Sequence, residues 1–302
     1  MRQAAAKIMM VRPAHFGYDP STAKTNSFQD TEGSDQILDI QHKAIEEFNG
    51  AVDTLRANGV DVVVIDDTDE PKKPNAVFPN NWVSFHDGRV ILYPMLAENR
   101  RWERRLDLLD QLVDEGVAVD EIIDISKYEE NNMFLESTGS VVIDYEHDLA
   151  YACLSSRTDR DVLNKLCEIN GYEPVLFESF NKEGVAVYHT NVVMCIASKY
   201  AVICTESIQA DQRFDVIRTL EETGHEVVEI TMDQMYSFAG NMLEVLNHQG
   251  ESVIVMSQAA YDSLTENQLN TISAHSKIQT VSIPTIEKFG GGSVRCMMCR
   301  VS

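Results

Sequence analysis

Residues 289–302 read FGGGSVRCMMCRVS. The run CMMCRV within it (296–301) is apolar enough for a strand, but a lone strand makes no sheet. What it pairs with decides the fold, and the rest of the chain supplies the answer by repetition. Four stretches read as β-hairpins, each an apolar run, a polar turn and a second apolar run. They are NNWVSFHDGRVILYPM (80–95), ESTGSVVIDYEHDLAYACL (136–154), HTNVVMCIASKYAVICTES (189–207) and GNMLEVLNHQGESVIVMS (240–257). Their starts lie 56, 53 and 51 residues apart, and one more step of that size lands on 291–296. CMMCRV therefore reads as the first strand of a fifth unit.

The segment after each hairpin also recurs. It is helix-like (98–116, 157–170, 209–224 and 259–275), several times ending at Gly or Asn as helix C-termini do. A short β-rich run then leads to the next hairpin: EIIDI, EPVLFE, EVVEI and KIQTVSI. The N-terminus holds the remaining pieces of the fifth unit, strand KIMMVRP (7–13), helix 34–59 and strand VDVVVID (60–66). Pairing CMMCRV beside KIMMVRP closes a ring of five ββαβ units, an α/β propeller over residues 1–302 as a single domain. An open α/β sheet also alternates strands and helices. The complementary half-units at the two ends favour the ring, and no GxGxxG follows the first strand to support a dinucleotide fold.

Composition narrows the function. With 302 residues and 44% hydrophobic content the chain buries a sizeable core. No apolar run approaches the length of a membrane span and the N-terminus has no signal-peptide pattern, so a cytoplasmic protein with reduced cysteines is expected. A net charge of −23 argues against a nucleic-acid partner.

In such a ring the first strand of each hairpin lies nearest the axis, so residues at the hairpin starts converge on one end of the channel. That position reads Asn81, Glu136, His189 with Asn191, Asn241 and Cys296 through the repeats. A thiol near an imidazole, with a carboxylate to orient it, is the minimum apparatus of covalent catalysis. Taken alone, Cys296 is as readily a small core residue. The preceding glycines favour a nucleophile, because they let backbone N–H groups approach a developing oxyanion. Cys296 and Cys299 form C-x-x-C, but no further ligands sit at zinc spacing, and no metal is expected. Cys153, Cys167, Cys195 and Cys204 read as packing residues. His86, His147 and His248 fall in polar turns and read as solvated. Arg157 reads as a helix-terminal ion-pair partner or as a fork for a substrate carboxylate.

The motifs FPNN (78–81), FLESTGS (134–140), HTN (189–191), GGGSVRCMM (290–298) and, more weakly, SSRT (155–158) resemble those of the guanidine-modifying enzymes of the pentein fold. That group holds arginine deiminases, dimethylarginine hydrolases and amidinotransferases. The resemblance implies the five-unit propeller, catalytic Cys296, His189 and Glu136, a covalent S-linked intermediate, and neither metal nor cofactor. It also implies aspartates where Asn81 and Asn191 stand. Those carboxylates would hold a guanidinium, and amides instead match a neutral ureido group. The chain thus looks closest to the citrulline-hydrolase branch, which yields ornithine, ammonia and carbon dioxide. Asn81, Asn191, Asn241 and Arg157 are the expected substrate contacts. The rivals are an arginine deiminase or amidinotransferase acting on a guanidine, and a non-catalytic pentein serving as a binding module. The expected partner is a small-molecule substrate, citrulline or a related amino acid, with no nucleic acid or membrane, and a homodimer as the expected assembly.

Overall fold

The computed structural model describes residues 1–301. Fifteen strands form five three-stranded sheets. β1 (Lys7–Arg12) lies between β2 (Asp61–Asp66) and the last strand. The other sheets run in chain order: β3 (Val83–His86), β4 (Arg89–Leu92) and β5 (Glu121–Asp124), then β6 (Val142–Asp144), β7 (Leu149–Cys153) and β8 (Glu173–Phe177). β9 (Met194–Ile196), β10 (Tyr200–Ile203) and β11 (Glu226–Glu229) come next, then β12 (Leu243–Leu246), β13 (Ser252–Ser257) and β14 (Lys277–Val281), and finally β15 (Cys299–Arg300). In every sheet the first strand pairs antiparallel with the second, and the third joins parallel to the second. In the fifth unit β15 takes the first place: Ile8 faces Arg300 and Met9 faces Cys299 in an antiparallel pair, as the sequence predicts.

The turns and caps obey local chemistry. Asp87 (φ 48°) and Gly88 (φ 82°) make the two-residue β3–β4 turn, whose positive dihedrals match the strand twist. The Asp159 carboxylate caps helix Arg160–Asn170 by accepting from the Asp161 and Val162 amides, and Gly171 (φ 75°) ends it. Helix Ile37–Ala57 turns Ile40, Ala44, Phe48, Ala51, Val52 and Leu55 inward, one stripe at helical spacing. Burying Phe48 fully contributes about 1.5–3 kcal/mol.

Burial grades from the axis outward. Every residue of β3, β6 and β9 is buried, whereas β5 has three exposed positions of four. Neighbouring units meet through their inner parts: β15 touches β3, β6 touches β9, and β9 touches β12. At one end of the axis Gln3 ties units together. Its amide donates to the Ile143 carbonyl at 3.1 Å and the Ile196 carbonyl at 3.0 Å, and accepts from the Tyr145 amide at 2.9 Å.

Two helical segments differ from expectation. Residues 98–116 form a 3₁₀ stretch, Glu98–Glu103, and then helix Asp107–Asp114. Residues 259–275 break after Ser263, because Thr265 and Gln268 form a capping box that starts a second helix, Glu266–Ser273. His86 departs from its solvated reading: it ends β3, buried, with Nε2 at 2.7 Å from Ser84 Oγ and Nδ1 at 3.0 Å from Tyr172 Oη.

Candidate active site

A single helical turn precedes the first strand in four of the five units: Pro79–Asn81, Ser137–Ser140, Thr190–Val193 and Val294–Met297. The fourth unit has a tight turn instead, closed by the Asn241 amide donating to the Phe238 carbonyl. Asn81, Glu136, His189, Asn191, Asn241 and Cys296 sit on or beside these turns, one step before the strands rather than on them, whereas Arg157 lies between β7 and helix Arg160–Asn170. The turns contact one another around the axis, which is how residues 50 or more apart in sequence converge.

Cys296 is 2% exposed. Asn241 Nδ2 lies 3.4 Å and Asn191 Nδ2 3.5 Å from its Sγ, so two neutral amides point donors at the sulfur. Burial pushes the thiol up, and the Asn241, Ser293 and Asn191 hydrogen bonds with the nearby Arg295 charge only partly offset it. Asn191 Oδ1 is buried with no partner. Each such orphan costs free energy unless a ligand or water meets it.

His189 Nε2 is 2.8 Å from Glu136 Oε2. Desolvation drives the imidazole down to about 4 against the pull of the carboxylate, so the ring is neutral at pH 7. With Nε2–H donating to Glu136, Nδ1 carries the lone pair. Burial would raise the Glu136 carboxyl. Arg157, the His189 hydrogen bond and Arg100 outweigh it and hold it well below the usual range. Arg157 Nη1 stands 3.3 Å and Arg100 Nη1 3.9 Å from Oε2, while the Leu96 amide donates to Oε1 at 3.2 Å. Thiol, neutral imidazole and fixed carboxylate together suit nucleophilic attack with proton transfer.

Asn81 accepts through Oδ1 from Arg100 Nη1 at 2.9 Å and donates to Asn80 Oδ1 at 3.1 Å. Arg100 also grips Glu103 with two bonds of 2.8 Å. The sequence reading missed Arg100, since ENRRWERR looks like one more solvated, charge-rich helix. Arg157 is turned onto Glu136 and onto Thr22 and Thr25, its Nη2 donating to the Thr22 carbonyl at 2.9 Å and its Nε to Thr25 Oγ1 at 3.1 Å. Cys299 lies apart from the site, its thiol 3.7 Å from the Val83 carbonyl, and all six cysteines are free.

Residues 19–30, which carry no strand pattern, cover the site. Asn26 Nδ2 donates to the Gly291 carbonyl, Gln29 Nε2 to the Gly290 carbonyl, each at 3.1 Å, and the Asp30 amide to the Lys288 carbonyl at 2.8 Å. Asp19 anchors the other end, accepting from Asn75 and Asn99 at 2.8 Å each. Beneath lies a cavity of about 10 Å³ lined by Cys296, His189, Asn81, Arg100 and Arg157, room for one water. The Arg157 donors on this side are held by Thr22 and Thr25 of the same segment.

The family model described as N,N-dimethylarginine dimethylhydrolase, eukaryotic, matches residues 12–302, nearly the whole chain. The chain belongs to the N,N-dimethylarginine dimethylhydrolase family. No curated protein sequence matches it. Solved structures place the fold with the pentein enzymes. A variant of the N-terminal domain of ArgZ bound to substrate, an arginine dihydrolase from the ornithine–ammonia cycle in cyanobacteria, aligns with TM-score 0.75 and 16% identity over 98% of each chain. A variant of AgrE in complex with L-arginine gives 0.76 and 15%, over 98% of this chain and 40% of that one. A dimethylarginine dimethylaminohydrolase variant carrying an S-methyl-L-thiocitrulline adduct gives 0.68 and 16%, over 98% and 99%. The pentein fold and the guanidine-modifying superfamily read from the motifs are thus borne out. Within the described residues no helix is long and apolar enough to cross a membrane.

Proposed function

We propose that the chain is a hydrolase of this family that acts on the ureido group of citrulline, giving ornithine, ammonia and carbon dioxide. One observation carries the choice of substrate: the groups beside Cys296 are amides, and Asn191 offers an unpartnered buried acceptor beside its donor. A ureido group, one C=O among N–H donors, complements an amide on both counts. Glu136 and Glu103 each have a cation already, from Arg157 and Arg100, and Asp19, the buried carboxylate that anchors the covering segment, is held by the Asn75 and Asn99 amides. A guanidinium placed beside Cys296 would meet the neutral amides of Asn191 and Asn241 where it needs anions to compensate its desolvation.

In the mechanism we propose, the segment over the site opens, citrulline enters, and Arg157 takes its α-carboxylate. The Cys296 Sγ attacks the ureido carbon while the thiol proton passes to His189 Nδ1. Asn191 Nδ2, Asn241 Nδ2 or loop N–H groups meet the oxyanion. His189 returns the proton to the departing amine as the C–N bond breaks, leaving an S-carbamoyl cysteine. Water then loses a proton to His189 and attacks that carbon. The C–S bond breaks, the thiol is restored, and the carbamate released decomposes to amine and carbon dioxide. Glu136 keeps the imidazole oriented and steadies its charged form.

The test incubates purified protein, and a Cys296→Ala control, separately with citrulline and with arginine, following ornithine, citrulline and ammonia. Ornithine from citrulline that vanishes in the control is expected. Citrulline formed from arginine would mean a guanidine hydrolase, and glycine-stimulated turnover an amidinotransferase. Silence on both would favour the non-catalytic module.

A further inference from the structure

On the part of the ring served by the β6–β7 turn, three side chains from two units gather around one point. Asp144 ends β6, His147 lies in the turn after it, and His225 immediately precedes β11. The Asp144 carboxylate is fully buried. Its Oδ1 accepts from the Glu146 and His147 amides, each at 3.1 Å, which fixes the group's orientation. Its Oδ2 faces His147 Nδ1 at 2.9 Å and His225 Nδ1 at 3.9 Å. One ligand atom from each residue lies within 4.8 Å of the other two, and no other set of three or more His, Cys, Asp or Glu among the described residues does so. The imidazoles meet edge to face with centroids 5.7 Å apart.

An Asp–His pair across a turn is an ordinary structural device and accounts for His147. It does not account for His225, which the next unit brings to the same carboxylate with Nδ1 3.9 Å from Oδ2 and 2.9 Å from Thr223 Oγ1, a contact the ion would replace. Nor does it account for the Tyr151 hydroxyl, buried beside Asp144 and Thr223 without a hydrogen bond of good geometry. We propose that Asp144, His147 and His225 form a site for a first-row divalent cation of zinc type. Ligands at about 2.0–2.2 Å from a tetrahedral ion stand about 3.3 Å from one another, so small side-chain shifts suffice. Two imidazoles with one carboxylate select zinc, cobalt or nickel over calcium and magnesium, which take oxygen. The backbone bonds to Oδ1 supply the outer support such sites need. The His225 side chain is 2% exposed and that of His147 is 40% exposed, so the ion enters from the His147 side and keeps water in its open position.

The site joins the second and third units, whose sheets share no ladder of backbone bonds although β6 and β9 touch. The ion is therefore a clip across a junction that no sheet ladder spans. It lies apart from Cys296 and takes no part in the chemistry proposed there.

The test uses tag-free Cys296→Ala protein, so that the active-site thiol contributes no ligand, titrated with Co²⁺ and followed by visible d–d absorption. One equivalent should bind, Zn²⁺ should displace it, and Zn²⁺ should raise the melting temperature. His147→Ala, at the partly exposed position, should weaken Co²⁺ binding at least about tenfold. It should also remove the Zn²⁺-dependent rise in melting temperature. His225→Ala should do the same, and if it does not fold, His147→Ala carries the result. Absence of binding, or equal binding and stabilisation in His147→Ala, would overturn the proposal.

Discussion

The citrulline reading proposed above rests on two asparagines. Asn191 lies 3.5 Å from the Cys296 sulfur with its carbonyl oxygen unpartnered, and Asn81 is held by Arg100. Replacing both with aspartate would place two carboxylates in a closed pocket, one of them against the sulfur, where negative charge opposes thiolate formation. In Asn81→Asp/Asn191→Asp, kcat/KM for citrulline should fall about 10²-fold or more, the scale of losing one oxyanion donor. Arginine binding should appear or strengthen, because a guanidinium then finds its anions. Steady-state assays on both substrates check this, and citrulline turnover at the parental level would remove the amide argument. These two residues were legible in the sequence, since hairpin starts recur at a nearly constant step and the departures from the motifs show in single letters. Arg100 was not legible: nothing in a run of charges distinguishes the one arginine that folds inward to Asn81 and Glu103.

At the scale of elements, precision comes from how closely the short turns approach one another. Gly139 illustrates the tolerance. A Cβ there would lie 2.5 Å from Asn81 Nδ2 and 2.8 Å from the His189 ring, closer than atoms pack. Gly139→Ala should therefore leave the sheets intact and displace the imidazole or the amide, and a shift near 1 Å is enough to cost about 10²-fold in kcat. The variant should keep the parental circular-dichroism spectrum while losing turnover, and a fully active Gly139→Ala would mean that the turns are softer than they look. Strands and helices were legible because their apolar periods of 2 and 3.6 survive in the sequence. The site turns were placed as strand starts, since four residues of helix are too short for a period. The covering segment, 19–30, was missed for a related reason: its far end is tied to the backbone carbonyls of 288, 290 and 291, and a carbonyl leaves no mark in a sequence.

The ring as a whole carries a net charge of −23 and relies on buried histidines at its junctions, and the two features pull stability in opposite directions with pH. His189 binds Glu136 across the second and third units, and His86 meets Tyr172 between the first and second. Burial lowers His189 to about 4, partly countered by Glu136, and lowers His86 to about 3, with Arg89 and Arg300 adding to the effect. Both are neutral when folded, whereas the unfolded chain takes up their protons below about pH 6.5. Their contribution is complete above that pH and is lost as pH falls, about 2 kcal/mol from each by pH 5. Glu136, whose folded value is depressed, adds no loss until pH drops below its unfolded range near 4.5. Protonation of surface carboxylates acts the other way by easing repulsion, and salt screens that effect without reaching the buried rings. Urea unfolding in high salt with a chelator should therefore show a lower midpoint at pH 5 than at pH 7, and His86→Gln should remove part of the difference. A midpoint that holds or rises on acidification in high salt would mean that the junction histidines are protonated in the folded ring.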